Sequence, residues 1–173
     1  MSARLGGFIL GMIITIAMLF IGAYLFIAAG GVPMATAAAP LPFEETVANL
    51  ALKANLRGAA EQKDPLVLND DNLLAGARTF KENCAACHGV PGARAGAIAK
   101  GMFPPPPQLF EHDEMLTDDP EGETYWKVTH GIRLSGMPGF ASTLSDQQRW
   151  QVTILLAHAD KLPAAVQSAL SAH

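Results

Sequence analysis

Cysteine is nearly absent from this sequence: its 173 residues include two. Two thiols would suit one disulfide in an exported protein, though their spacing points elsewhere, and a structural zinc site takes about four ligands. Aromatic residues are sparse as well, at 7%, which leaves few large side chains for an ordinary core. Neither sign of charge dominates, since 12 Lys and Arg stand against 16 Asp and Glu. That balance lacks the basic excess by which a protein holds nucleic acid or anionic lipid head groups. No stretch alternates apolar and polar residues over the length of a strand, and no segment repeats. The sequence also lacks a Ser/His/Asp set, a carboxylate pair or a phosphate-binding loop. The expectation is an all-α chain without hydrolytic or phosphoryl-transfer chemistry.

Charge is missing altogether from residues 5 to 29. A helix needs about 20 apolar residues to cross a bilayer, so this run is long enough to span with some tilt. Small residues at 35–37 and 37–39 look like signal-peptide cleavage sites. The run nevertheless exceeds the roughly 7–15 apolar residues of a signal, and a retained anchor over residues 1–30 is expected. Arg4 is the sole charged residue before it. Positive residues stay on the cytoplasmic side, which places the N-terminus inside and the rest outside.

Residues 31–70 read as a tether, rich in Gly, Ala and Pro up to Pro42. Within it, Phe43, Val47, Leu50, Ala51 and Ala54 give residues 43–61 the spacing of an amphipathic helix. It could lie on the domain, the membrane or a partner subunit. Asp70 or Asp71 is suited to cap the next helix, whose buried face is Leu73, Gly76, Ala77, Phe80 and Cys84. Gly76 weakens a helix relative to Ala and marks a place where another helix approaches closely. Pro104, Pro105, Pro106 and Pro107 exclude helix interior and central strand. A short helix follows over residues 121–130, with Tyr125, Val128 and Thr129 on one side. Ser145 and Gln148 form a capping-box pattern for a last helix carrying Trp150, Ile154 and Ala157. That helix stops at Pro163, leaving 163–173 as a C-terminal tail.

Cys84-Ala85-Ala86-Cys87-His88 is the strongest signal. Thiols three residues apart bridge the two vinyl-derived carbons of a haem, and the adjacent histidine reaches the iron from the same side. A thioredoxin-like pair needs a strand-helix context, which is not visible. The motif implies one covalent haem c, attached outside the cytoplasm, in agreement with Arg4. The iron's sixth position separates a carrier from a catalyst, because a sulfur ligand fills it and raises the potential. Met137 lies in a Ser-Gly-Met-Pro-Gly-Phe turn that presents its sulfur rigidly. His130 and then Met102 are the alternatives, and Met34 falls in the tether. Tyr125, Trp126 and Arg133 are candidates for the haem environment, Arg133 for pairing with a propionate.

Residues 71–162 resemble a class I monohaem cytochrome c of the short, membrane-anchored bacterial type. The likeness rests on Cys84 to His88, the Gly76/Phe80 face, the Gly-Met-Pro loop at Met137 and Trp150. It implies a class I fold around the haem, with the first and last helices crossing so that Gly76 and Phe80 meet Trp150. It also implies a Pro-x-Leu element, here Pro107 to Leu109, whose proline carbonyl accepts a hydrogen bond from His88. His88 and Met137 are the expected axial ligands. The function implied is single-electron transfer at the periplasmic face of a bacterial inner membrane. The leading form is a tethered carrier between a quinol-oxidising complex or dehydrogenase and a terminal oxidase or reductase. The alternatives are a fixed haem subunit of a respiratory complex, or a haem enzyme or gas sensor with an open iron. Redox proteins are the expected partners. Seven acids between Glu111 and Glu123, uninterrupted by Lys or Arg, are either a solvated loop or a means of steering a basic partner.

Overall fold

The computed structural model describes residues 3–171. They fall into two compact units, one ending at Glu44 and one beginning at Glu45. The first is dominated by α1 (Ala3–Ala28). Within its residues Arg4–Ala28 an 18-residue window has a mean hydropathy of 2.5, and no part of that window is buried by protein. At 1.5 Å per residue α1 is about 39 Å long, against about 30 Å for a bilayer's hydrocarbon core. Among the described residues it is the one helix long and apolar enough to cross a membrane.

The second unit is an all-α bundle built on α3 (Asp70–Asn83) and α7 (Asp146–Ala157), which make its most extensive contact. The other elements are α2 (Glu44–Leu56), α4 (Ala85–His88), α5 (Ala97–Lys100), α6 (Glu121–His130), a 3-10 turn (Ala159–Lys161) and α8 (Ala164–Ser171). The residue that caps α3 is Asn69, whose side chain accepts from the Asn72 backbone N–H at 2.9 Å. Asp70 and Asp71, the expected caps, lie one and two residues later in the first turn. There their charge favours the positive end of the helix dipole. The capping box of α7 is present at both ends, Gln148 N–H to Ser145 Oγ and Ser145 N–H to Gln148 Oε1.

The α3/α7 crossing explains Gly76. A Cβ there would lie 2.1 Å from the Gln151 carbonyl oxygen and 3.3 Å from Leu155 Cβ. The expected meeting of Gly76 and Phe80 with Trp150 is therefore corrected. Gln151 and Leu155 are four apart and line the face toward α3, while Trp150 is about 100° round the helix. Trp150 stacks on Tyr125 of α6, with centroids 4.0 Å apart, and Phe80 packs edge-on against Phe110 at 5.3 Å. Because α3 and α6 both press on α7, residues 150 to 156 are buried on every side.

Two flanking segments differ from their expected form. The amphipathic helix ends at Leu56 rather than near 61, and a turn follows. Val47 and Leu50 of α2 stand exposed, whereas Leu56 and Ala59 are buried. Here the chain lies so close to α6 that a Cβ on Gly122 would come within 1.9 Å of the Ala59 carbonyl oxygen. The stretch expected as a tail is α8 up to Ser171, and its last two residues lie outside the described residues. Pro163 ends one helical segment and opens another, its carbonyl accepting from Val166 and Gln167. Val166 and Leu170, four apart, are fully buried, and α8 packs on α3.

Candidate functional site

The Cys84 backbone joins two helices. Its N–H closes α3 on the Phe80 carbonyl at 2.7 Å, and its carbonyl accepts from Cys87 and His88, both at 3.0 Å. One turn thus gathers Cys84, Cys87 and His88. Both thiols are free and half-buried. Burial, and secondarily Cys87, pushes the Cys84 thiol up to about 12. A thiol so protonated is a poor nucleophile. Gly89 ends the turn at φ +71°, where a Cβ would strike the Ala93 carbonyl oxygen at 2.8 Å and Gln108 Oε1 at 2.9 Å. The position requires glycine.

His88 Nδ1 lies 2.8 Å from the Pro107 carbonyl oxygen. A carbonyl only accepts, so Nδ1 carries the proton and donates, leaving the Nε2 lone pair available to a metal. Burial holds the imidazole below its ordinary pKa, partly countered by this hydrogen bond. The ring is therefore neutral near pH 7, the form that ligates. The His88 carbonyl in turn accepts from Leu109 N–H at 3.3 Å.

Met137 is half-buried and packs against the hydrophobic core. Its loop is pressed backbone to backbone onto the end of α6. Phe140 N–H donates to Val128 at 3.0 Å and Ala141 N–H to Thr129 at 3.1 Å. A Cβ on Gly131 (φ +68°) would lie 2.7 Å or less from the backbone of residues 137–139, and one on Gly139 would meet the His130 carbonyl at 2.7 Å. The sequence motif from Ser135 to Phe140 assigns the fixing of this turn to its own Gly and Pro residues. Gly139, inside the motif, does so, and Gly131, outside it, presses on the same backbone, its one signal in the sequence being a Gly after a helix. Inside the loop, Met137 N–H donates to Ser135 Oγ at 3.2 Å, and Ser135 Oγ donates to the Ile132 carbonyl at 2.7 Å. Met102 is a neighbour: its terminal methyl fills the space a Gly136 Cβ would take, 1.8 Å away.

The remaining candidates are placed variously. The Tyr125 hydroxyl donates to Asp146 and accepts from Arg149 at 3.3 Å, so α7 holds it. The Trp126 ring lies 4.9 Å from that of His130, which is exposed at the end of α6. Arg133 is exposed. Met34 is exposed within the first unit. The acidic run is less uniform than its sequence. Glu111 faces Arg94 at 3.7 Å, Asp119 faces Lys127 at 3.7 Å, and Glu114 accepts from the Gln108 N–H.

Among the described residues, no group of three or more His, Cys, Asp and Glu gathers to hold a metal. The donor set fits a metal that arrives inside a planar organic group. Two thiols and a neutral imidazole share one turn, and a thioether lies in a second, glycine-pressed loop.

Residues 71–154, just under half the chain, match the family model described as Cytochrome C oxidase, cbb3-type, subunit III. Among curated proteins no match was found. A solved structure of the Kuenenia stuttgartiensis reducing HAO-like protein complex contains a similar chain, 27% identical with a TM-score of 0.48. The similarity covers 58% of this protein and 48% of that chain, so this protein spans about half its length. After a helix of membrane-spanning length, the chain is thus similar over residues 71–154 to a cytochrome c oxidase subunit family.

Proposed function

We propose that the protein is the haem c subunit of a membrane redox complex and passes single electrons at the periplasmic face of a bacterial inner membrane. The observation that carries the reading is the His88 ring, whose Nδ1 is engaged by Pro107 at 2.8 Å while two free thiols share its turn. Cys84 and Cys87 would hold one haem through thioether bonds, and His88 and Met137 would be its axial ligands. Bound there, the haem iron supplies a reversible one-electron couple. The residues keep that couple in one geometry. Pro107 prevents the His88 ring from turning, and the backbone bonds at Phe140 and Ala141 limit movement of the Met137 loop. A fixed subunit is preferred to a free carrier because the family matched over residues 71–154 is described as a subunit of an oxidase.

The test is gentle detergent extraction of the full chain, followed by haem staining and redox titration. One thioether-linked haem per chain, eluting together with other membrane subunits, is expected. A haem-free chain overturns the reading, and a haem-bearing chain that elutes alone returns it to a tethered carrier. Met137→Ala should lower the midpoint potential by a sizeable part of the roughly 0.8 V that axial ligands span, and open the iron to carbon monoxide. An unchanged low-spin spectrum and potential would remove Met137 from the iron.

A further inference from the structure

Four successive prolines create a problem that Gln108 solves. Pro104 to Pro107 carry carbonyls but no backbone N–H, so the run cannot anchor itself by donating. Yet one of its carbonyls, that of Pro107, sets the orientation of His88. The next residue, Gln108, is 7% exposed and supplies the missing donors. Its Nε2 donates to the Pro106 carbonyl at 3.1 Å and to the Cys87 carbonyl at 3.1 Å. Its Oε1 accepts from the Ala95 N–H at 2.7 Å, and its backbone N–H donates to the Glu114 carboxylate.

Both amide protons and the amide oxygen are therefore used, in three different segments: the Cys84–His88 turn, the loop through Ala95, and the proline run. Gly89 leaves room for this amide, since a Cβ there would lie 2.9 Å from Gln108 Oε1. Pro107, Gln108 and Leu109 each make one hydrogen bond to residues 87 and 88. Of these three residues Gln108 alone donates from its side chain, and that side chain also holds the proline run.

We propose that Gln108 is a positioning residue that sets the strength of the Pro107–His88 hydrogen bond, and through it the donor strength of His88 toward a bound haem iron. The inference rests on the haem reading above. With the amide in place, Pro106 and Cys87 are tied to one rigid plane and the Pro107 carbonyl stays aimed at Nδ1. Without it the proline run is released, the Nδ1–H bond lengthens, and the imidazole loses anionic character. A weaker imidazole donor stabilises the ferric state less, so the midpoint potential rises.

The experiment uses the full-length, haem-loaded protein in detergent. Gln108→Met keeps the bulk and removes all three side-chain bonds. Gln108→Glu keeps the acceptor for Ala95 and removes the two donors, and so remains informative if the methionine variant does not fold. Val166→Ala, in α8, serves as a control for lost stability alone. The readouts are solvent exchange of the His88 Nδ1–H by NMR, and the midpoint potential of the uncharged methionine variant. Exchange at least tenfold faster in both Gln108 variants, a raised potential in Gln108→Met, and neither change in Val166→Ala are expected. Unchanged exchange and potential in haem-bearing variants that merely melt earlier would overturn the inference and leave the proposed function standing. A wild-type chain without thioether-linked haem would overturn both.

Discussion

Residues 71–154 and the segments that flank them in the same compact unit are held in place by different physics. The inner stretch rests on a helix crossing, α3 on α7, where glycine brings two backbones together and the surrounding side chains are buried. The flanks are attached by few residues each. The N-terminal one rests on Leu56, Ala59 and a close approach to Gly122, the C-terminal one, beyond the end of α7, on Leu162, Val166 and Leu170. Both nonetheless cover surfaces of the inner stretch. Removing them would expose the α3 face under α8 and the first turn of α6. The family-matched stretch is therefore not the whole folding unit. A crossing of two long helices is rigid on both sides, whereas a segment such as 57–64, without regular structure, yields when pressed.

The largest effect should come from breaking the crossing. Gly76→Ala puts a methyl 2.1 Å from the Gln151 carbonyl oxygen, and both elements are helical, so neither moves aside easily. Overpacking of this kind destabilises by about 1–3 kcal/mol, and the upper end is expected here. The denaturation midpoint of the full chain measures it. A midpoint within error of the wild type would mean that α3 and α7 do not cross at this residue.

The same substitution at Gly122 tests the N-terminal flank. Its Cβ would lie 1.9 Å from the Ala59 carbonyl oxygen, an even closer approach. The partner is a turn rather than a helix, so the flank should shift and the loss should stay near the lower end, about 1 kcal/mol. Proteolysis between residues 57 and 64 should then become faster while the rest of the unit resists. A larger loss at Gly122 than at Gly76 would reverse the comparison and make the flank the more rigid part.

How much was legible in the sequence follows the same division. The Cys84–His88 turn, the capping box at Ser145 and the glycine contact of α3 are local or strongly patterned, and each was readable. The hydrogen bond from His88 to Pro107 came with a family resemblance rather than from spacing, and it is present at 2.8 Å. What could not be read depended on partners distant in the chain. Pro163 looked like a stop because a proline cannot continue a helix, but its carbonyl can begin one. Eight residues with two buried positions give too short a period to recognise. Asn69 and Asp70 are equally good caps on paper, and the choice is made by where the chain enters α3. Gln108 gave no signal at all, since a lone glutamine beside prolines is ordinary until Cys87 and Ala95 are brought to it.

The smallest expected effect concerns Asp64, at the end of the N-terminal flank. One carboxylate oxygen accepts from the Leu66 N–H at 2.7 Å, while the other is buried without a partner. Burial raises its pKa above the ordinary 3.8. The Leu66 bond opposes the rise, Glu121 adds to it, and His158 opposes it again. Glu121 opens α6 and His158 follows α7, so this carboxyl senses how closely the flank sits on both. A folded-state pKa above the unfolded one means that the folded protein holds the proton longer. Stability therefore falls as pH rises from the ordinary carboxylate value through the raised one, and the full penalty applies above it. Asp64→Asn keeps an oxygen for Leu66 and removes the charge, which is less costly to bury. The variant should melt slightly higher than the wild type at neutral pH, and the difference should vanish toward acid. A variant that melts lower at neutral pH would show that the carboxylate is a favourable partner for His158 rather than a charge confined by the flank.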